Sequence, residues 1–311
     1  MPPSTNAYLE PLTTGAALDP REYLGPLSPP GRSMKRDLDP SLARPARAAV
    51  VIELDSVANL SKQATQHRTN IIKMIDELGR RHNRHQVFRD FVTMSAVAMS
   101  KLDLRQAEAR EELYMSCVQR YSPEEASLIA QMFAELQEGL HVAPRDILGE
   151  IYMQLDLGNN RMGQFFTPHH ICELMASLTM SDDIEEKVSK RGFVTVHEPA
   201  SGSGATIIAM MLAMQNRGLS YQRHVHVTAI DLDGTAAMMA YVQLSLMHVP
   251  ATIVHGNTLT LEQYSHWYTP AHIMGNWNAR LRDDRACRLA EQAMAGDDSQ
   301  HAEEPAAPRA G

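Results

Sequence analysis

The chain has 311 residues, enough for one large domain or two small ones, with ordinary globular proportions of hydrophobic (44%) and charged (21%) residues. A net charge of −8 excludes a whole-protein positive field for nucleic acid, so any DNA affinity has to come from a local patch. Cys117, Cys172 and Cys287 are far apart and form no C-x-x-C pair, which argues against a zinc site or disulfide framework.

Residues 1–48 hold nine of the 17 prolines and no periodicity, which predicts a disordered leader. Arg32, Lys35, Arg36, Arg44 and Arg47 make its second half basic, which suits a solvated tail better than a phosphate-binding arm. There is no signal-type segment and no apolar run of membrane-spanning length. Together with the unpaired cysteines, this leads us to expect a soluble cytoplasmic protein.

Residues 49–142 read as a helical domain. Ile71, Ile72, Met74, Ile75 and Leu78 form one apolar stripe, ended by Gly79, and Phe88, Phe91, Val92, Met94 and Val97 form the next. Ser122-Pro123-Glu124-Glu125 carries a helix cap, a first-turn proline and a capping-box glutamate. The basic cluster Arg80–His85 suits a solvated helix end better than a phosphate contact. Ala143-Pro144 is expected to start a further helix through Ile147, Leu148, Ile151, Tyr152 and Leu155.

Residues 143–278 read as an α/β domain, followed by a helical segment and acidic tail over 279–311. Thr167-Pro168 are cap and first-turn residues for a helix through Ile171, Leu174 and Met175. His169, His170 and Glu173 suit first-turn surface positions rather than a metal site, because adjacent helical histidines point to different faces.

The organising stretch is Glu198-Pro199-Ala200-Ser201-Gly202-Ser203-Gly204, between the β-type run 193–197 and a buried helix starting at Ala205. Strand, glycine turn and helix place a ligand's polar groups against backbone N–H groups at a helix N-terminus. Glu198, just before the turn, suits a ligand bearing positive charge rather than a phosphate. Ile207 breaks the dinucleotide fingerprint, and no phosphate-loop motif is present.

A second strand over 225–230 ends in Asp231, a carboxylate placed to accept ribose hydroxyls; Asp233 is the fallback, or a helix cap. After a helix over 235–247, a third strand at 252–255 ends in Gly256-Asn257-Thr258-Leu259, where an amide could donate to and accept from a base edge.

The hexapeptide Gly163-Gln164-Phe165-Phe166-Thr167-Pro168, followed by the acid-Pro-Ala-x-Gly-x-Gly turn, resembles the motif order of the N-6 adenine-specific DNA methylases. The hexapeptide closely resembles that of the methylation subunits of type I restriction-modification systems. The resemblance implies a helical N-terminal domain followed by a Rossmann-like α/β domain, truncated after its cofactor-binding half. It also implies S-adenosylmethionine as cofactor, no metal, and DNA as partner with a specificity or methylation subunit. Carried over by motif, Phe165, Thr167 and Pro168 would flank the methionine part of that cofactor, and Glu198, Ser201, Gly202 and Gly204 would hold its amino and carboxylate end. Asp231 would hold the ribose, and Asn257 would border the adenine.

The family's Asn/Asp/Ser-Pro-Pro-aromatic catalytic motif has no counterpart here. Asn276 and Trp277 offer an amide and an aromatic at the corresponding place, although packing suits them better. Two readings follow: site-specific DNA adenine N6-methylation, or a catalytically inactive cofactor-binding relative that regulates or decoys through a partner.

Overall fold

The structure is a computed structural model that describes residues 47–155 and 167–300, with side chains described for 59–155 and 167–292. The chain divides into two compact units. One comprises residues up to Phe91 together with Ser116–Ala143, the other Val92–Met115 together with residues from Pro144 onward. Two of the three divisions fall inside helices α2 (Arg84–Met99) and α3 (Ala107–Val118), and the third lies between Ala143 and Pro144.

The first unit is built on α1 (Arg47–Leu78) and α4 (Pro123–Val142), which pack against each other. Ile71, Ile75 and Leu78 from α1 and Ile129, Met132, Leu136 and Leu140 from α4 are buried, following the helical repeat of each. The capping box predicted at the start of α4 is present: Ser122 Oγ accepts from Glu125 N, and the Glu125 carboxylate accepts from Ser122 N. The basic cluster is largely engaged within this unit. Arg81 and His82 meet Glu125, and Arg84 pairs with Asp76.

The second unit carries the sheet. After α7 (Ile184–Arg191), strands β1 (Val194–Glu198), β2 (Val225–Asp231) and β3 (Ala251–Asn257) are parallel and neighbours in that order. The crossovers contain α8 (Ala205–Asn216) with α9 (Tyr221–His224), and α10 (Gly234–Leu246), which gives the expected Rossmann-like βαβαβ run. Val225, Val227 and Ala229 share one sheet face with their β3 neighbours Ala251 and Ile253. All five are fully buried on the helix side, where α10 packs on β2 and β3. On the other face Thr195 and His197 of β1 are exposed.

A fourth strand, β4 (Glu262–Tyr268), was not anticipated. It pairs antiparallel with β3 through a register shift at His255/Gly256. Its polar, mostly exposed sequence hides the strand signal; Trp267 is its only buried residue. Within this unit Arg110 is buried, donates to Asp103, Ser100 O and His266 O, and stacks 4.5 Å over the Trp267 ring. Beyond β4 lie α11 (Pro270–Met274) and α12 (Trp277–Gln300).

Two helix starts differ from expectation. α5 (Ile147–Gln154) begins after Asp146, not at Ala143-Pro144, because the Asp146 side chain accepts from Gly149 N and acts as the cap. α6 (His169–Thr179) begins after Pro168, and Thr167 provides no side-chain cap. The buried face of α6 is its small-residue face. Cys172 and Ala176 pack on Ala205 and Ala209 of α8, while Leu174 and Met175 stay exposed. Small residues let these two helices approach closely, so the larger side chains turn outward.

Candidate functional site

The glycine turn joins β1 to α8. Gly202 (φ 54°) and Gly204 (φ 93°) both adopt the left-handed conformation that residues with a Cβ avoid. Gly204 is the residue before the first turn of α8, and no side chain caps that helix. Its N-terminal amides therefore face outward without a side-chain acceptor, the arrangement that receives polar or anionic groups.

The turn is fastened from two sides. Ser201 N donates to Ile230 O at 2.9 Å, and Gly202 N donates to Asp231 Oδ2 at 2.7 Å, tying it to the end of β2. Behind it lies a buried polar network. Asp146 Oδ2 accepts from Ser203 Oγ at 2.5 Å, while Oδ1 accepts from Gly149 N and from Gln243 Nε2. The Gln243 amide also donates to Ser203 O, and its Oε1 accepts from Leu148 N. Burial pushes the Asp146 carboxyl above its ordinary value, against the opposing pull of the Ser203, Gln243 and Gly149 hydrogen bonds. This network was not legible as a site, although one glutamine in a Met/Ala-rich helix was a signal for it.

The structure brings the strand-end residues together. Glu198, Asp231 and Asn257 stand at the C-terminal ends of adjacent parallel strands, where open α/β sheets receive ligands. Thr206 Oγ1 donates to Glu198 Oε2 at 3.1 Å. Asp231 accepts Gly202 N on one oxygen and Asp233 N on the other, and each oxygen keeps a second lone pair. Burial raises the Asp231 pKa, and the two backbone N–H groups oppose the rise. Asp233 caps α10 by accepting from Thr235 N and Ala236 N. Asn257 Oδ1 accepts from Leu259 N and Thr260 N, so its amide has only N–H donors left for a ligand. Thr258 Oγ1 donates to Pro199 O at 2.6 Å, closing the β3 loop onto the glycine turn.

Ser201 bears on whether a ligand belongs here. It is 5% exposed, and its Oγ is buried with no hydrogen-bond partner. A hydroxyl left unpaired in the middle of a glycine turn is costly, and a bound polar ligand would satisfy it. Carboxylates at two strand ends, the Asn257 N–H donors at the third, an uncapped helix N-terminus and this orphaned hydroxyl fit a ligand carrying an amine, a carboxylate, ribose hydroxyls and a base.

Among the other candidates, Phe165 lies outside the described residues, as do Gly163, Gln164 and Phe166. Thr167 and Pro168 are exposed just before α6, where Cys172 Sγ donates to Thr167 O. The structure does not bring Asn276 and Trp277 to this group. Trp277 is 1% exposed, edge-on to Phe193 before β1 and tilted against His226 near the start of β2. That is the sheet end opposite Glu198 and Asp231. Five residue steps of about 3.3 Å each separate His226 from Asp231 along β2. Trp277 fills core space, and Asn276 (φ 50°) forms the left-handed corner before α12. His169 pairs with Glu173 at 3.4 Å, and no three potential metal ligands cluster among the described residues. Among those residues no helix is long and apolar enough to cross a membrane.

The N-6 DNA Methylase family model matches residues 143–291. No curated protein matches the chain. A solved structure from Listeria monocytogenes, named as a class I S-adenosylmethionine-dependent methyltransferase, is similar at 18% identity and a TM-score of 0.35. The similarity covers 62% of this chain and 54% of that one. The segment that matches the N-6 DNA methylase family model, residues 143–291, is the one that supplies the glycine turn, all three strand-end residues and the Asp146 network.

Proposed function

We propose that the α/β unit binds S-adenosylmethionine at the C-terminal edge of β1–β3, as part of a DNA adenine N6-methyltransferase. The observation that carries this reading is the convergence of Glu198, Asp231 and Asn257 on a glycine turn whose Ser201 hydroxyl is buried without a partner. Glu198 accepts the ligand's amine, and Ser201 with the α8 N-terminal amides takes its carboxylate. The second lone pairs of Asp231 accept the ribose hydroxyls, and the Asn257 amide donates to the adenine. Thr167 and Pro168, with Phe165 beside them in the chain, flank the methionine arm. When bound, the cofactor supplies an electrophilic sulfonium methyl; this chain's residues hold it and fix the direction in which it faces.

The test is calorimetric titration with S-adenosylmethionine of the wild type and of Asp231→Asn and Gly202→Leu variants. Saturable binding that weakens at least tenfold in both variants is expected. A folded wild type that takes up no cofactor would refute the assignment of all these residues.

A second reading has its own support. No Asn/Asp-Pro-Pro-aromatic element follows β3, and among the described residues β1 pairs with β2 alone. In the resembled family that place beside β1 holds the strand bearing the catalytic motif. On this reading the unit binds cofactor without transferring methyl groups and acts through a partner methylation subunit. Labelled-methyl transfer to DNA of mixed sequence, with and without an intact methylation subunit, separates the two. Transfer by this chain alone excludes the second reading.

A further inference from the structure

At the opposite end of the sheet lies a cavity of about 340 Å³, lined by Leu102, Asp103, Leu104, Arg105, His272, Ile273, Asn276, Trp277 and Asn278. All belong to the second unit. His272 in its wall meets His226 behind it edge-on: His226 Nε2 and His272 Nδ1 are 2.9 Å apart and share one hydrogen bond. With Nδ1 turned to His226, Nε2 is the polar atom His272 has left for the cavity. His272 is 1% exposed, and this nitrogen is buried without a hydrogen-bond partner. Asn278 is close enough to influence the ring but makes no bond of acceptable geometry to it. Burial keeps both rings neutral: His272 is pulled below its ordinary value and His226 down to about 3.

The charges around the cavity do not cancel. Asp103 is claimed by two guanidinium groups, Arg110 through Nη2 and Arg105 through Nε, which leaves one positive charge in excess. Arg110 is buried against Trp267, whereas Arg105 is largely exposed and lies 5.1 Å over the Tyr268 ring. Arg105, the Asn276 and Asn278 amides and His272 Nε2 can all donate hydrogen bonds. Leu102, Leu104 and Ile273 supply apolar wall. If His226 Nε2–H donates to His272 Nδ1, the remaining proton of His272 sits on Nε2, the partnerless nitrogen of a residue that lines the cavity.

We propose that this cavity is a second ligand site, separate from the strand-end site, for a small organic monoanion: a carboxylate with a short apolar body. The carboxylate accepts from His272 Nε2–H and from the Arg105 guanidinium, and the body lies on Leu102, Leu104 and Ile273. Donors converging on one volume with net positive charge select an anion, and the apolar wall selects an organic one over a bare inorganic ion.

The test uses the full chain with 15N-labelled histidine, titrated with butanoate and hexanoate and, in parallel, with the matching primary amides. A saturable shift of the His272 Nε2 resonance with the carboxylates and none with the amides is expected. Hexanoate should bind more tightly than butanoate, and Arg105→Gln should weaken both about tenfold. Arg105 is exposed, so thermal melting of that variant should match wild type and exclude misfolding as the cause. A folded protein whose His272 signal does not respond, responds equally to the amides, or binds carboxylates unchanged in Arg105→Gln overturns the proposal.

Discussion

Gln243→Met tests the polar network behind the glycine turn. The substitution nearly conserves volume in a helix already rich in methionine, so lost hydrogen bonding dominates over any cavity. Three partners lose the amide: Asp146 Oδ1 at 2.8 Å, Ser203 O at 2.9 Å and Leu148 N at 3.0 Å. Each buried group left unsatisfied costs about 1–3 kcal/mol. With partial relaxation we expect a total loss of about 3–5 kcal/mol, or a fall in Tm of roughly 10 °C for a unit of this size. Urea unfolding followed by far-ultraviolet circular dichroism measures it.

Asp146→Asn is the companion variant, since an Asn can keep all three contacts. Because burial raises the folded pKa of Asp146, its stabilising protonation is complete below the unfolded pKa of about 3.9. That contribution is lost as pH rises through the folded value. Stability measured from pH 4 upward should therefore fall in wild type relative to Asp146→Asn. A Gln243→Met protein within about 1 kcal/mol of wild type would mean that the network does not fasten the turn, and the reasoning fails.

Gly149→Ala should cost about 2–4 kcal/mol, because the new Cβ would overlap Asp146 Oδ2 and sit 2.5 Å from Ser203 Oγ; the same urea assay reports it. Arg110→Met should cost about 3–5 kcal/mol by leaving the buried Asp103 carboxylate short of its buried partner, and Asp103→Asn in the same background should recover part of the loss. The folded pKa of His226 is depressed, so its contribution is present above the unfolded pKa of about 6.5 and lost as pH falls toward about 3. The stability difference between wild type and His226→Leu should accordingly shrink on acidification, and a difference independent of pH would argue against a buried neutral ring.

The three parallel strands were legible because each is a β-branched run ending in a polar residue, and the sheet registers Val194–Glu198, Val225–Asp231 and Ala251–Asn257 side by side. The glycine turn was legible for the same reason: both glycines take φ values that other residues avoid. β4 was not, because an edge strand with a single buried residue leaves no alternation to read. The helix through Ile171, Leu174 and Met175 was legible but its buried face was not, because close helix approach favours the small side chains of Cys172 and Ala176 over the larger ones. Thr269-Pro270 repeats the cap-and-proline pattern seen at Ser122-Pro123 and could have announced α11. Asp146, Ser203 and Gln243 lie 57 and 97 positions apart, and single-sequence reading has no means of joining polar residues over such distances.

Those separations also set an order of events during synthesis. Chain leaves the ribosome at about 5–20 residues per second, so Ser203 emerges seconds before Gln243. Until α10 has docked, Ser203 O lacks the Gln243 amide, and the carboxylate of Asp146 lacks one of its three donors. The glycine turn should therefore become rigid late, after β2 and β3 have closed around it. Pulse-labelled hydrogen exchange during refolding would then find the amides of Gly202 and Gly204 protected no earlier than those of α10. A nascent chain arrested before residue 243 would carry every strand-end residue but Asn257, and still lack a formed pocket.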